Sequence, residues 1–109
     1  MTELSEDIIV HYGEDEIRIE REVVLSTLLA LRAINHDLRR QIIALLDRQE
    51  EMTVTDIYVS LKIDQSTASQ HLRQLRRAKI VGKKKRGKFA HYRLEKSRMA
   101  DIARLVNQL

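Results

Sequence analysis

The stretch that decides the fold is QSTASQHLRQLRRAKIVGKKKRGKFAHYRL, residues 65–94. It holds ten lysines and arginines and no carboxylate. A dense run of charge is ordinarily a solvated face, so the arrangement of these charges matters more than their number. The first half has the periodicity of a helix with two unlike faces, and the second half alternates like two short strands.

The helical half separates its apolar residues from its polar ones. At 100° per residue, Ala68, Leu72 and Leu75 share one narrow face. The opposite face carries Ser66, Gln70, Arg73, Gln74 and Arg77, and its flanks carry Thr67, Ser69 and His71. Hydroxyls, amides and guanidiniums are the groups that contact base edges and phosphates. The pattern therefore predicts a helix that packs on the domain through one face and offers the other to nucleic acid.

The second half predicts a β-hairpin with a cationic loop. Ile80-Val81 leads into KKKRGK, FAHYRL alternates apolar and polar residues, and Gly87 supplies the turn conformation. The loop is expected to carry Lys83, Lys84, Lys85, Arg86 and Lys88. Beside the helix, these cations suit a phosphate backbone or an adjacent minor groove.

A short helix before residue 65 completes the motif. Thr53 with Asp56 resembles a capping box, and Asp64 is a candidate cap for the basic helix. Two short helices joined by the turn at residues 62–64 predict a helix-turn-helix. With the hairpin it becomes a winged helix-turn-helix, mainly α with a small β-hairpin wing (α+β).

The helix before this motif follows Asn35-His36-Asp37, any of which can cap it. Its inward face is expected to hold Leu38, Ile42, Leu45 and Leu46. Arg39 and Arg40 are expected to face outward.

The two terminal helices carry more apolar surface than a small domain needs. In EVVLSTLLALRAI, residues 22–34, two apolar stripes lie side by side, which indicates a subunit interface or a fully buried core helix. In SRMADIARLVNQL, Ser97 is a candidate cap for an amphipathic helix. A symmetric dimer through both helices would use Val24, Leu28, Leu31, Ile102, Leu105, Val106 and Leu109.

The first 21 residues are expected to form a separate arm or hairpin before a winged helix-turn-helix domain at 22–109. DIIVHYG and EIRIERE alternate with period two on either side of Gly13-Glu14-Asp15. A mobile acidic tail is the alternative interpretation.

Charge is distributed unevenly along the 109 residues. The net charge of +4 combines −7 over residues 1–61 with +11 over residues 62–98. Clustered cations of this kind indicate a polyanionic partner, and double-stranded DNA is the leading one.

Several function classes are disfavoured by composition. The chain has no cysteine, which excludes disulfides, thiolate metal sites and cysteine nucleophiles. No apolar run approaches the roughly 18 residues of a membrane helix, so a cytoplasmic, soluble protein without a membrane partner is expected. No nucleophile–base pair or phosphate-cradling glycine loop indicates an enzyme or a cofactor.

The four histidines do not predict a metal site. His11, His36, His71 and His91 are isolated in sequence, without a pair at i, i+4 spacing. His71 is expected to be a helix-flank residue near phosphate or a satisfied structural group, and His91 a wing residue that faces outward.

Residues 66–94 resemble the signature of the ArsR/SmtB-type bacterial repressors. The likeness rests on a hydroxyl-rich helix start, Ser69-x-His71-Leu72, a basic wing with Gly87, and Tyr92-x-Leu94, and it extends over about Val23 to Leu109. His36 stands where such proteins have a proline. The resemblance implies a homodimer that binds imperfect palindromes and releases DNA when an effector binds. The family's metal sensors place cysteines in the helix at 53–61, and here Thr53 and Thr55 are poor ligands for soft metals.

The leading interpretation is a transcriptional regulator, expected to repress, with double-stranded DNA, a second copy of itself and an unidentified effector as partners. Base reading is assigned to Gln65, Ser66, Thr67, Ser69 and Gln70, at the N-terminal end of the helix. Backbone contacts are assigned to His71, Arg73, Arg77 and the five wing cations. An RNA- or ribosome-associated winged helix and a protein-interaction module are the alternatives.

Overall fold

Two β-hairpins and five α-helices make up residues 6–108, the part of the chain that the computed structural model describes. In chain order the elements are β1 (Ile8–Tyr12), β2 (Asp15–Ile19), α1 (Arg21–Ile34), α2 (Asp37–Gln49), β3 (Glu51–Thr53), α3 (Val54–Leu61), α4 (Gln65–Arg77), β4 (Val81–Arg86), β5 (Phe89–Leu94) and α5 (Lys96–Asn107). The predicted winged helix-turn-helix is confirmed: α3 and α4 form the motif, and β4 and β5 form the wing. No helix of this part of the chain is long and apolar enough to cross a membrane.

The core lies between α2, α3, α4 and the root of the wing. Its largest fully buried side chains are Ile42, Leu46, Ile57, Leu72, Leu75 and Ile80. Burying each such side chain contributes about 1.5–3 kcal/mol. Because Ala68, Leu72 and Leu75 all point into this core, the opposite face of α4 is held outward, as its periodicity predicts.

The boundaries of α3 follow from its end residues. The Thr53 hydroxyl accepts a hydrogen bond from the amide of Asp56, and the Asp56 carboxylate accepts one from the amide of Thr53, each at 3.1 Å. This capping box confirms the predicted helix start. At the other end, Lys62 adopts the left-handed conformation (φ 57°), which ends the helix and turns the chain toward α4.

One predicted cap is confirmed and another is wrong. His36 begins α2, since its Nδ1 accepts a hydrogen bond from the amide of Leu38 at 3.1 Å. Ser97 does not begin α5: the helix starts one residue earlier, at Lys96, and Glu95 precedes it without a side-chain cap. Ser97 therefore lies inside the first turn.

The wing is part of a three-stranded antiparallel sheet with strand order β3–β5–β4. The sequence does not predict β3, because three residues are too few to show alternation. Lys83 to Arg86 lie on β4 and not on a loop, which corrects the expected position of these cations. Arg86 pairs directly with Phe89, so only Gly87, with φ +61°, and Lys88 make the turn.

Residues 8–19 form a β-hairpin within the segment that was expected to be an arm or hairpin. β1 and β2 pair antiparallel from Ile8 opposite Ile19 to Tyr12 opposite Asp15. Gly13, with φ +63°, supplies the turn. Residues 8–19 thus adopt the hairpin and not the unstructured tail, and the first five residues of the expected arm lie outside the described residues.

Candidate nucleic-acid interface

The N-terminus of α4 is organised around the carboxylate of Asp64. The Asp64 oxygens accept hydrogen bonds from the Ser66 hydroxyl, from Thr67 Oγ1 at 2.6 Å and from the Thr67 amide at 3.2 Å. The hydrogen bond from Ser66, followed by those from Thr67, lowers the pKa of Asp64 to about 2. The ionised carboxylate at neutral pH stabilises the positive end of the helix, which confirms the predicted cap.

The same hydrogen bonds restrict two of the five predicted base contacts. Ser66 and Thr67 donate their hydroxyl protons to Asp64, so toward a base their oxygens remain as acceptors only. Gln65 and Gln70 are exposed, and each amide offers both a donor and an acceptor. Ser69, like Thr67, is half-buried. The structure therefore gives the two glutamines the freest access to a groove.

The cationic part of α4 follows toward its C-terminal end. Arg73 lies three residues after Gln70, hence on the same side of the helix, and both are exposed. Arg77 is exposed, whereas Gln74, expected on the outward face, is half-buried. Arg76 is also exposed, although the periodicity does not single it out.

The wing presents its cations on two sides. Residues paired across antiparallel strands point to the same face. Lys83 opposite Tyr92 therefore lies on the face that continues into the core, and Lys84 opposite His91 lies on the other. The Lys83 ammonium sits 5.9 Å from the Tyr92 ring centroid, a cation–π contact. Arg86 is not a free cation, since its Nη1 lies 2.9 Å from the Glu51 carboxylate.

Two histidines that are 35 positions apart in sequence meet in the structure. The rings of His36 and His71 have centroids 4.4 Å apart, a contact that their isolation in sequence does not predict. His71 Nδ1 is buried and makes no hydrogen bond within the described residues. Burial lowers the pKa of His71, and the charges of His36 and Arg39 lower it further. A neutral, half-buried His71 suits the packing of α4 against α2 better than a contact to phosphate. His91, expected to face out, is also half-buried. Among residues 6–108, no group of three or more metal-ligating side chains converges.

An electropositive pocket of about 310 Å³ lies between α1, α2 and α4 and is lined by Arg32, Arg39 and Arg77. Arg39 was expected to face outward with Arg40. Instead it is half-buried, and its Nε makes no hydrogen bond within the described residues. Arg40 is exposed and pairs with Asp37 at 2.6 Å. Positive potential therefore extends from α4 back toward α1.

An apolar surface lies where α1 meets α5. The α1–α5 apolar surface consists of Val23, Val24, Thr27, Leu28, Leu31, Leu105 and Val106. Helix α1 is not a fully buried core helix: it buries Ala30 and Ala33 near its C-terminal end, while Leu28 and Leu31 remain 38% and 39% exposed. Ile102 was expected to contact a second copy, but it is only 5% exposed and packs in the core of its own chain. Leu109 lies outside the described residues.

The sequence matches known regulatory proteins. The family described as bacterial regulatory protein, arsR family, matches residues 36–83, from the cap of α2 into β4. The transcriptional repressor PagR of Bacillus anthracis is 30% identical over 79 residues, which are 72% of this chain and 79% of PagR. The arsenic resistance transcriptional regulator ArsR1 of Pseudomonas putida is 30% identical over 71 residues, covering 65% of this chain and 56% of ArsR1.

Solved structures share the architecture. The crystal structure of PagR superposes with a TM-score of 0.68 at 28% identity, covering 80% of this chain and 99% of PagR. An ArsR-like transcriptional regulator from Rhodococcus sp. RHA1 has a TM-score of 0.74 at 18% identity, covering 80% of this chain and 81% of that one. The second match supports the fold alone. About a fifth of this chain lies outside the match to PagR, whereas almost all of PagR lies within it.

Proposed function

The chain belongs to the arsR family of bacterial regulatory proteins, and on that premise we propose that it is a sequence-specific repressor that binds palindromic operator DNA as a homodimer. Proteins of this family regulate transcription and are not enzymes. The observation that carries the proposal is the exposed polar face of α4, which has hydroxyl, amide and guanidinium groups and stands beside a cationic wing.

Base reading in this proposal falls mainly to Gln65 and Gln70, whose amides are exposed and can pair bidentately with adenine. Ser66, Thr67 and Ser69 contribute acceptor oxygens, and the Asp64–Ser66–Thr67 hydrogen bonds fix the helix end that enters the groove. Arg73, Arg77 and the lysines of β4 hold the phosphate backbone and set the register of α4 on the duplex.

The homodimer in this proposal forms through the α1–α5 apolar surface. A two-fold axis there would present two α4 helices to successive major grooves, about 34 Å apart on one side of the duplex. The proposed operator is therefore a palindrome with half-sites about 10 base pairs apart.

Selection of bound duplexes from a random pool tests the proposal. We expect the selected sequences to share an inverted repeat with that spacing. An asymmetric motif, or none, would contradict the homodimer on palindromic DNA. Selected duplexes in competition with structured RNA at fixed salt then separate a DNA regulator from an RNA-associated winged helix, which would prefer the RNA.

Substitution of Gln70 tests the assignment of base reading. Gln70→Ala is expected to weaken binding to the selected operator by about 1–3 kcal/mol and to relax one base position. Random DNA should be bound as before. Gln41→Ala, which removes an exposed amide from α2, is the control. Equal losses on operator and random DNA would show that Gln70 positions the helix and does not read sequence.

A further inference from the structure

The β1–β2 hairpin has one apolar face and one polar face. Ile8 pairs with Ile19, Val10 with Ile17 and Tyr12 with Asp15, and paired residues point to the same side. The hairpin apolar face consists of Ile8, Val10, Tyr12, Ile17 and Ile19, which are 41%, 48%, 77%, 45% and 43% exposed. The other side carries Ile9, His11, Glu16 and Arg18.

The hairpin apolar face has no cover within the described residues. Every one of its five side chains is at least two-fifths exposed. An isolated two-stranded hairpin is marginally stable in water. Contiguous apolar patches larger than a few hundred Å² are rare on monomers and mark interaction surfaces. The hairpin therefore has the composition of an element that is stabilised by packing on a partner.

The hairpin is held at the start of α1. Glu20 alone separates β2 from the helix. The Asp7 carboxylate accepts a hydrogen bond from the Arg21 amide at 2.8 Å and one from Arg18 Nη1 at 3.3 Å. The α1–α5 apolar surface begins at Val23, within the first turn of α1. The two uncovered apolar surfaces thus follow one another along a short, tied segment.

The size of the α1–α5 apolar surface indicates what covers the hairpin. The seven residues of that surface, with Leu25 and Leu29 also exposed on α1, make nine, whereas a stable interface takes about 20–30 residues on each side. We propose that the hairpin apolar face packs on a second copy of this chain and extends the α1–α5 dimer interface. This inference rests on the proposed homodimer and adds to it an element outside residues 36–83, which match the family.

A pair of glutamate substitutions on β1 tests this contact. Val10 and Ile9 are adjacent and almost equally exposed, at 48% and 45%, but they lie on opposite faces. Val10→Glu places a charge in the proposed contact and is expected to raise the dimer dissociation constant, measured by sedimentation equilibrium, by about tenfold or more. Ile9→Glu carries the same charge on the solvent side and should stay within about twofold of the wild type.

Amide hydrogen exchange gives a second readout that does not depend on altering the hairpin. In a Leu28→Glu variant, a charge at the α1–α5 apolar surface should leave the chain monomeric. The amides of β1 and β2 should then exchange much faster than in the wild-type dimer, while those of α4 remain protected. Equal protection of the hairpin in the monomer and the dimer would overturn the inference.

The outcomes separate the two proposals. A wild-type chain that is monomeric at every concentration overturns the homodimer and the hairpin contact together. A wild-type dimer with the same dissociation constant for Val10→Glu and Ile9→Glu overturns the hairpin contact alone. In that case the homodimer stands, and the hairpin apolar face belongs to a different protein.

Discussion

The two β-hairpins have similar turns but differ in how their strands pack on the rest of the domain. Each has a two-residue turn that begins with a glycine at positive φ, +63° at Gly13 and +61° at Gly87. The wing has a third strand and reaches the core through Val81 and Tyr92, which are 3% and 8% exposed. The N-terminal hairpin has two strands and buries none of its side chains.

The difference shows that suitable turn residues are enough to form a hairpin, whereas packing on other elements is needed to make the hairpin part of the domain. The wing belongs to the domain because β5 lies between β3 and β4 and buries Tyr92 beneath them. Its cationic tip can project into solvent because its root is fixed. The N-terminal hairpin has the opposite arrangement, with an acidic turn and an uncovered apolar face.

Truncating one tyrosine in each hairpin should give the largest contrast. Tyr92→Ala removes a ring from the core and is expected to lower the free energy of unfolding by about 3 kcal/mol or more. Tyr12→Ala removes a ring that is 77% exposed and should change it by less than about 0.5 kcal/mol. Denaturant unfolding in the Leu28→Glu background excludes a contribution from dimerisation. Similar losses for both tyrosines would show that the N-terminal hairpin is also part of the domain.

The next contrast concerns DNA. Replacing Lys84 and Lys85 together by alanine should weaken binding to all duplexes by about tenfold and reduce the slope of log K against log salt by about two. Arg18→Ala, which removes a cation from the N-terminal hairpin, should leave both quantities unchanged. Binding measured across a salt series decides the point. An unchanged slope for the lysine variant would remove the wing from the proposed interface.

The turn glycines allow a matched comparison of backbone strain. A methyl group at either glycine meets no atom within 4 Å, so an alanine is penalised only for its positive φ. Gly87→Ala is expected to lower the free energy of unfolding by about 1 kcal/mol. In the monomeric Leu28→Glu background, Gly13→Ala should not move the global transition, because the N-terminal hairpin opens separately from the core. A shift of the global transition by Gly13→Ala would contradict that separation.

The smallest effect is expected at the ion pairs that tie each hairpin. Arg86–Glu51, at 2.9 Å, and Arg18–Asp7, at 3.3 Å, are both partly exposed to solvent. A double-mutant cycle at the wing should give a coupling of about 0.2–1 kcal/mol, and less at high salt. The same cycle on the N-terminal hairpin should give no coupling in global unfolding of the monomeric Leu28→Glu background. Equal couplings would show that both hairpins unfold together with the core.

Much of the domain follows from patterns that span only a few residues. The two faces of α4, the capping box at Thr53 and Asp56, the cap at Asp64 and both hairpin turns depend on residues within about four positions of one another. Helix periodicity and end caps act at this range. The DNA-binding motif and its family resemblance were therefore open to prediction.

Apart from the cap at Ser97 and the strand bounds of the wing, the errors concern packing between distant segments. The periodicity of α2 predicts an exposed Arg39, but α2 and α4 pack so that Arg39 is half-buried. The same packing brings His71 against His36, a contact that the spacing of the histidines does not predict. The spacing of α5 predicts one apolar stripe for a dimer interface, although the structure buries Ile102 and leaves Leu105 42% exposed. Spacing along a helix predicts which residues share a face but does not predict where the neighbouring element ends.

The amino-acid sequence by itself determined the helix-turn-helix, the wing, the charge asymmetry and the absence of cysteine chemistry, because each depends on composition or on neighbours along the chain. The tertiary structure alone decided which cations are free, which hydroxyls are engaged by Asp64 and which apolar surfaces stay uncovered. Burial depends on contacts between segments far apart in sequence, and a periodic pattern contains no information about which segment will cover it.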